Sequence, residues 1–372
     1  MFPTRHAKEP LCKGLEASRL WRDYRFFATL RFPLSVKDIM GYKKFAVIGV
    51  LLVLIALPLG TGRLYSDFYI ALFLRIFIFG VLLLGFDLLA GYGGFVSFGH
   101  SMFFGTGAYV AALVWKYFND SVWLGILLGL GTNAVFGYIL ALLCVRTRAI
   151  YFVFLTFAFS QFFFVIANSW RVIGGNDGIP GIPPPTLIPG ISLGSRVSFY
   201  YFSLGFLVIA FWVARRIVNS HFGRVLKGIR ENEERAKFLG YNTSLLIRKT
   251  FLISGLFGSL AGTLMAGFQP YVSPYYYYWS LSGEIVFMEI LGGMGTLVGP
   301  LLGTAIVILL GDILSTWLKE AWMLCLGAIY VLCVLYSPGG VVVVLKNISI
   351  TAVIKFFQKW GKKCFSGLKT SP

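Results

Sequence analysis

The sequence predicts an all-α integral membrane protein, a polytopic helical bundle, and three observations support this. Of the 372 residues, 57% are hydrophobic and 13% are charged, whereas soluble domains carry roughly 45–50% apolar and about 25% charged residues. The apolar residues form many separate segments, most of them close to the ~20 residues that a membrane helix needs. The basic residues, which produce a net charge of +18, lie between and beyond these segments. That pattern favours loops facing anionic lipid over a nucleic-acid-binding protein.

About ten apolar segments follow one another and predict about ten transmembrane helices. They cover residues 45–59, 68–90, 95–116, 122–144, 149–169, 198–214, 250–269, 283–297, 299–317 and 320–337. The first and the eighth are short, and glycines interrupt the eighth, so tilted, re-entrant or broken helices are expected there. Similar glycine-interrupted segments in the two halves indicate an internal pseudo-repeat, as in transporters, although close helix packing alone also explains the glycines.

The distribution of Lys and Arg predicts that both termini are cytoplasmic. The predicted parts are a basic N-terminal extension over 1–44, a transmembrane domain over 45–340 and a basic amphipathic tail over 341–372. Ten basic residues precede residue 45. With this stretch inside, the loops near 145–148 and 215–249 are internal, and those near 117–121, 170–197 and 270–282 are external. The charges agree, because the loop over 215–249 is basic and the loop over 270–282 is uncharged.

Neither metal, disulfide nor enzyme chemistry is indicated. The five cysteines are scattered without the short spacing of a zinc or redox pair: Cys12, Cys144, Cys325, Cys333 and Cys364. The sequence contains no HExxH or phosphate-loop motif, so no catalytic residue and no cofactor is predicted. The Gly- and Pro-rich external loop over 170–197 favours a structural loop, with a calcium or substrate site as the alternative.

The internal loop Ser220–Lys249 predicts a short amphipathic helix beneath the membrane. Its apolar residues recur at helical spacing before a glycine stop: Val225, Leu226, Ile229, Ala236 and Leu239, with Gly240 behind them. A basic helix of this kind can lie on anionic lipid. The alternative is a helix that docks on a soluble partner, which the acidic Glu231, Glu233 and Glu234 favour.

Ionisable residues inside apolar segments are functional candidates, because each costs several kcal/mol unless it faces a cavity or a partner. They are Arg75, Asp87, His100, Glu284, Glu289 and Asp312. Arg75 and Asp87 lie where a structural role is expected. His100 and Glu289 are the preferred candidates for a substrate path, although a packing hydrogen bond is the competing role for His100. The predicted polar route consists of Ser97, His100, Ser101, Gln161 and Glu289.

Four blocks in collinear order resemble the LivM-type permease subunit of ABC importers for branched-chain amino acids. They are LAGYGGFVSFGHSMFFGTGAYVAAL from Leu89, IYFVFLTFAFSQ with GGNDGIPGI, FGRVLKGIRENEERAKFLGYN, and SGEIVFMEILGGMGTLVGPLLGTA. The resemblance covers residues 68–340 and leaves the N-terminal extension and the tail uncovered. Glu289 departs from it, because an apolar residue is expected before the LGGMG sequence.

The resemblance implies a multi-pass subunit of the bacterial inner membrane that imports branched-chain amino acids. Its implied partners are a second, LivH-like permease, two cytoplasmic ATP-binding subunits and a periplasmic solute-binding protein. The segment Gly223–Gly240 is then the coupling segment that docks on an ATPase. Its residues include Gly223, Arg224, Arg230, Glu231, Glu233, Ala236 and Gly240. Uptake of urea, short amides or aromatic acids is the alternative within the family, and an ion-coupled carrier with His100 and Glu289 as proton relay is the alternative from another class.

Overall fold

The computed structural model describes residues 53–58, 66–147, 150–188, 191–319, 321–336 and 339–347. The N-terminal extension, most of the first apolar segment and most of the C-terminal tail lie outside these residues. The described chain is predominantly helical, which confirms the all-α membrane bundle. Six of the described helices are long and apolar enough to cross a membrane, so the predicted count of about ten is not confirmed.

The helices follow the predicted segments within a few residues. Those long enough to span are α1 (Ser66–Asp87, continued by a π-helical turn, Leu88–Tyr92), α3 (Val122–Cys144), α4 (Ile150–Ser169), α5 (Arg196–Asn219), α8 (Thr243–Phe268) and α10 (Val298–Leu318). The others are α2 (His100–Tyr117), α6 (His221–Glu231), α7 (Glu233–Phe238), α9 (Trp279–Gly292), α11 (Trp322–Tyr336) and α12 (Gly340–Asn347). The short segment at 283–297 is indeed interrupted, because α9 ends at Gly292 and α10 begins at Val298.

The centre of the bundle consists of α1, α2 and α8. Of the six spanning helices, α1 and α8 are the most buried, and α8 packs against α1, α2 and α3. Phe103 of α2 and Phe152 of α4 both meet Phe251 of α8 edge to face, with ring centroids 5.3 and 5.8 Å away. Interlocking aromatic rings of this kind hold the helices by close contact, which is the main attraction available between helices in lipid.

The loops predicted to be external contact one another. β1 (Ile179–Pro180) pairs antiparallel with β4 (Tyr271–Val272), and β2 (Thr186–Ile188) pairs with β3 (Ile191–Ser192). The amide of Thr186 donates to the carbonyl of Asp120 over 2.7 Å. The loops near 117–121, 170–197 and 270–282 therefore share one side of the bundle, as expected.

The loops predicted to be internal also share one side. Residues from the two loops and the start of α8 form a single buried apolar cluster: Val145, Val225, Ile229, Ala236 and Ile247. The structure therefore separates the loops into the two groups that the charges predict. Which group faces the cytoplasm stays a prediction.

Labelling of introduced cysteines tests the orientation. In a background without the native cysteines, Asn176→Cys and Glu234→Cys place one exposed thiol on each side of the bundle. A membrane-impermeant thiol reagent added to intact cells is expected to label Asn176→Cys and to label Glu234→Cys only after the membrane is opened. The reverse pattern would invert the orientation, and labelling of both in intact cells would contradict the separation of the loops.

The contact between α9 and α10 depends on glycine. A Cβ atom added at Gly292 would lie 2.0 Å from the carbonyl oxygen of Gly299, and one added at Gly303 would lie 2.0 Å from the carbonyl oxygen of Met288. Both distances are far inside van der Waals contact, and the opposing atoms are backbone. Close packing therefore accounts for the glycine spacing in this half of the chain.

Alanine substitution tests this contact. Gly292→Ala is expected to lower the thermal midpoint of the purified chain by several degrees, because α9 and α10 must separate to admit the methyl group. Gly311→Ala is the matched control on α10, where an added Cβ meets no atom of the described residues within 4 Å. It is expected to leave the midpoint unchanged or slightly raised. Equal midpoints for the two variants would contradict the close approach.

Candidate functional site

α2 begins inside the bundle at a completely buried residue, whereas α9 begins beside it at an exposed one. α2 starts at His100 after the irregular stretch 93–99, and α9 starts at Trp279 after a 3₁₀ turn, Pro274–Tyr277. The two N-terminal ends meet, because the amide of Ser101 donates to the hydroxyl of Ser282 over 3.0 Å. Discontinuous helices whose N-termini point into the protein are typical of transporters, which use them to face polar solutes.

A cluster of three buried hydroxyl groups, Ser101, Ser160 and Ser282, joins α2, α4 and α9 at this point. The oxygens of Ser101 and Ser160 are 2.7 Å apart, and the hydroxyl of Ser282 donates to that of Ser101 over 2.9 Å. Ser160 also donates to the carbonyl of Tyr277 over 2.7 Å. Ser101 was predicted to lie on the polar route, whereas its partners were not, since nothing in their sequence surroundings distinguishes them.

His100 links three helices through a chain of hydrogen bonds. Its Nε2 atom lies 2.6 Å from the hydroxyl of Ser254, which donates to the carbonyl of Gly85 over 2.6 Å. Because a carbonyl only accepts, the Ser254 proton is used there, and Nε2 of His100 must be the donor. The ring lies edge-on to Phe86 and Phe103, and its Nδ1 meets no donor among the described residues. This surrounding fits a neutral histidine that connects α1, α2 and α8.

The other predicted route residues lie around these groups. The hydroxyl of Ser97 accepts from the amide of Gly99 over 3.2 Å and stabilises the irregular stretch before α2. Gln161 is half-buried on α4, next to Ser160 in the sequence, and its amide nitrogen meets no partner within the described residues. The structure therefore brings Ser97, His100 and Ser101 together at the start of α2.

Asp87 anchors the loop between α9 and α10. Its carboxylate accepts from the amide of Gly295 over 2.5 Å and from the amide of Leu297 over 3.0 Å. Gly293, Gly295 and Leu297 all have positive φ, at 111°, 79° and 57°. A leucine in that region is strained by roughly 1–3 kcal/mol, so the two hydrogen bonds from Asp87 help to hold the loop.

Glu289 lies beside Asp87, well apart in the sequence from the other route residues. Both side chains are completely buried, and their carboxyl groups are within hydrogen-bonding reach of each other. Neither oxygen of Glu289 receives a hydrogen bond from a conventional donor in the described part of the chain. In the structure Glu289 contacts Asp87, and its place on the polar route stays a prediction.

Arg230 connects the internal loop to this buried group. Its guanidinium donates to the carbonyl of Gly91, in the π-helical turn that follows Asp87. Burial lowers the pKa of Arg230, and the nearby Asp87, Tyr92 and Glu231 oppose that shift, so the side chain stays charged. Lys227, one turn earlier, lies over the ring of Tyr92 at 5.1 Å from its centroid.

The coupling segment consists of two helices instead of the single one expected. Asn232 interrupts it with extended backbone, and its side chain accepts from the amide of Arg235 to cap α7. The hydroxyl of Ser220 caps α6 in the same way through the amide of Gly223. α7 ends at Phe238, and Gly240 follows with a φ of 84°, as the glycine stop predicts.

The predicted coupling residues fall into two groups. Gly223 and Ala236 are buried against the bundle. Arg224 donates to the carbonyl of Asn219, and Glu233 accepts from the hydroxyl of Thr243 over 3.0 Å. Glu231 and Glu234 are exposed. The inner face of the segment and Glu233 thus attach it to the bundle, while Glu231 and Glu234 face outward.

Two apolar side chains next to the glycine stop project from the bundle. Phe238 is 91% exposed and Leu239 is 71% exposed, although the sequence pattern assigned Leu239 to the buried face. The helix ends at Phe238, so the helical spacing no longer applies to Leu239. Exposed apolar pairs next to charged residues are characteristic of contact surfaces.

Metal ligation has no support in the structure of the described residues, which contain no group of three His, Cys, Asp or Glu side chains able to hold an ion.

Discontinuous helices, intramembrane polar groups and at least six apolar spanning helices define a multi-pass membrane transport protein. More specifically, the chain belongs to the family described as "branched-chain amino acid transport system / permease component", which it matches over residues 68–335. The matched range contains α2, α9, Asp87, Glu289 and the segment Gly223–Gly240.

The chain is similar to the high-affinity branched-chain amino acid transport system permease proteins LivM of Salmonella typhimurium and Escherichia coli. Each is 27% identical over 354 residues, which cover 85% of this chain and 82% of the relative. The LivH permease protein of Escherichia coli is 28% identical over 124 residues, covering 33% of this chain and 40% of the relative. No solved structure matches the chain.

A double-mutant cycle tests the link between His100 and Ser254. Ser254→Ala is expected to destabilise the chain by roughly 1–3 kcal/mol, because it leaves the buried Nε2–H and the Gly85 carbonyl without their partner. The double variant with His100→Leu is expected to lose less than the sum of the two single variants. Denaturant unfolding measures the free energy of unfolding of the single and double variants, and the exposed Ser315→Ala is the control. Strict additivity would contradict the hydrogen bond.

Proposed function

We propose that this chain is the transmembrane permease subunit of an ABC importer that carries branched-chain amino acids into the cytoplasm. Membership of the permease family and the similarity to LivM proteins over most of the chain support the substrate class. The energy comes from ATP hydrolysed by separate cytoplasmic subunits. The chain itself positions the solute path and receives the movement of those subunits.

The observation that carries the proposal is the two-faced coupling segment, α6 with α7. Its inner face contacts the bundle through Arg230, Ile229 and Ala236. Its outer face presents the exposed Phe238 and Leu239 beside acidic and basic side chains. A helix that merely lies on anionic lipid would favour basic residues without exposed acids. The segment is therefore proposed to dock into a groove on an ATP-binding subunit.

The solute path is proposed to pass the hydroxyl cluster, where the N-termini of α2 and α9 meet. A free amino acid is a zwitterion, and its carboxylate is favoured near helix N-termini and hydroxyl donors. Such contacts are weak enough to release the solute again, which passage requires. Ser97 and Gln161 border this region, while His100 supports it from the packed side.

A second permease related to LivH is the proposed partner within the membrane, and the chain's own similarity to LivH supports a pseudo-symmetric pair. A periplasmic binding protein is proposed to deliver the solute to the side formed by β1 and β4. This arrangement locates the protein in the bacterial inner membrane, with the coupling segment in the cytoplasm.

Alanine substitution of the exposed pair tests the coupling. The double variant Phe238→Ala, Leu239→Ala is expected to reduce leucine uptake roughly tenfold or more, as loss of anchor residues does at protein interfaces. Its thermal midpoint is expected to stay unchanged, because neither side chain packs in the bundle. The measurement is uptake of radiolabelled leucine by proteoliposomes that contain all subunits and internal ATP.

The matched control is Phe118→Ala, which removes an 84% exposed phenylalanine on the opposite side of the bundle. It is expected to leave uptake unchanged. Full uptake by the double variant would refute the docking surface, and uptake without ATP-binding subunits would favour the ion-coupled carrier. Uptake of urea or acetamide in place of leucine would assign the alternative substrate class.

A further inference from the structure

Asp87 and Glu289 form a pair of buried carboxyl groups that neither the solute path nor the coupling surface explains. Asp87 ends α1, and Glu289 lies one turn before the end of α9. Both are 0% exposed. An isolated buried carboxylate costs several kcal/mol, and two adjacent ones also repel each other.

The two carboxyl groups differ in their hydrogen bonds. Asp87 receives two backbone amides, from Gly295 and Leu297, and each of these donors stabilises a negative charge. Glu289 receives no hydrogen bond from a conventional donor of the described residues. If Glu289 were ionised, its buried negative charge would lack a hydrogen-bond donor. A protonated Glu289 needs only an acceptor for its O–H, and the carboxylate of Asp87 lies within reach.

The charged groups around the pair also indicate that only one of the two carboxyl groups is ionised. The charged or titratable groups that face it from neighbouring elements are Arg230 of α6 and Tyr92 of the π-helical turn. The ammonium group of Lys227 lies over the ring of Tyr92 and not beside the two carboxyl groups. The charge of Glu231 lies near Arg230. Among the described residues one guanidinium therefore balances one carboxylate, and a second negative charge would have no counter-ion there.

We propose that Asp87 and Glu289 bind one proton between them, so that Glu289 is a neutral carboxylic acid whose O–H donates to the ionised carboxylate of Asp87. The pair carries one negative charge, which Arg230 balances from the coupling helix. It thereby fastens together the end of α1, the end of α9, the strained loop 293–297 and α6. This inference concerns the folded chain alone and does not depend on import driven by ATP.

Infrared spectroscopy of the full-length chain in an ester-free detergent at neutral pH tests the proposal. A protonated carboxyl group has a carbonyl band that a carboxylate lacks. We expect this band in the wild-type chain and its loss in Glu289→Gln. The matched control is Glu284→Gln, the same change on the exposed side of the same helix, which is expected to leave the Glu289 band in place.

Asp87→Asn tests the hydrogen bond. The band of Glu289 is expected to persist but to move to higher frequency, because an amide oxygen accepts more weakly than a carboxylate. A band that survives in Glu289→Gln and disappears in Asp87→Asn would assign the proton to Asp87 and overturn the proposal. Absence of any band sensitive to Glu289→Gln would show that Glu289 is ionised, also against the proposal. Since the Gln variant keeps size and a donor, this arm is informative even if Asp87→Asn does not fold.

Discussion

A helix that stops inside an apolar bundle leaves backbone amides and carbonyls without partners, and this constraint governs the centre of the protein. Each interruption is matched by side chains from distant segments. The hydroxyl of Ser282 accepts a hydrogen bond from the amide of Ser101 at the start of α2. The carboxylate of Asp87 accepts hydrogen bonds from two amides of the loop after α9. The buried polar side chains thus supply hydrogen bonds to the backbone groups that the broken helices leave unpaired. Each interruption requires its own side-chain partner.

Much of the fold is visible in the sequence, because helix length and apolarity in a membrane protein are local properties. Most of the apolar segments were predicted within about five residues, although α8 begins at Thr243, before its predicted start at 250. The glycine stop at Gly240 was correct. The division of the coupling segment at Asn232 was not predicted, since an asparagine is compatible with a helix interior. Its capping role appears only when the amide of Arg235 is in place.

The candidate site was less predictable, because its contacts join residues far apart in the chain. His100 and Ser254 are 154 positions apart, and Asp87 and Leu297 are 210 apart. The sequence marks His100, Glu289 and Asp87 as costly in lipid, but it does not say which pairs meet. Asp87 was expected to be structural, which agrees with its two backbone contacts. Glu289, the one departure from the family resemblance, is adjacent to it.

The π-helical turn Leu88–Tyr92 has a consequence for how related chains are aligned. Such a turn contains one residue more than the α-helical path, and an extra residue rotates everything beyond it by about 100°. Deletion of one residue within the turn Leu88–Tyr92 would restore a regular helix, yet it would carry the Gly91 carbonyl away from Arg230. A homologue with a one-residue gap at this point has therefore lost this contact or rebuilt it with other residues. The length of the segment, as much as its composition, thus determines whether Arg230 can reach the Gly91 carbonyl.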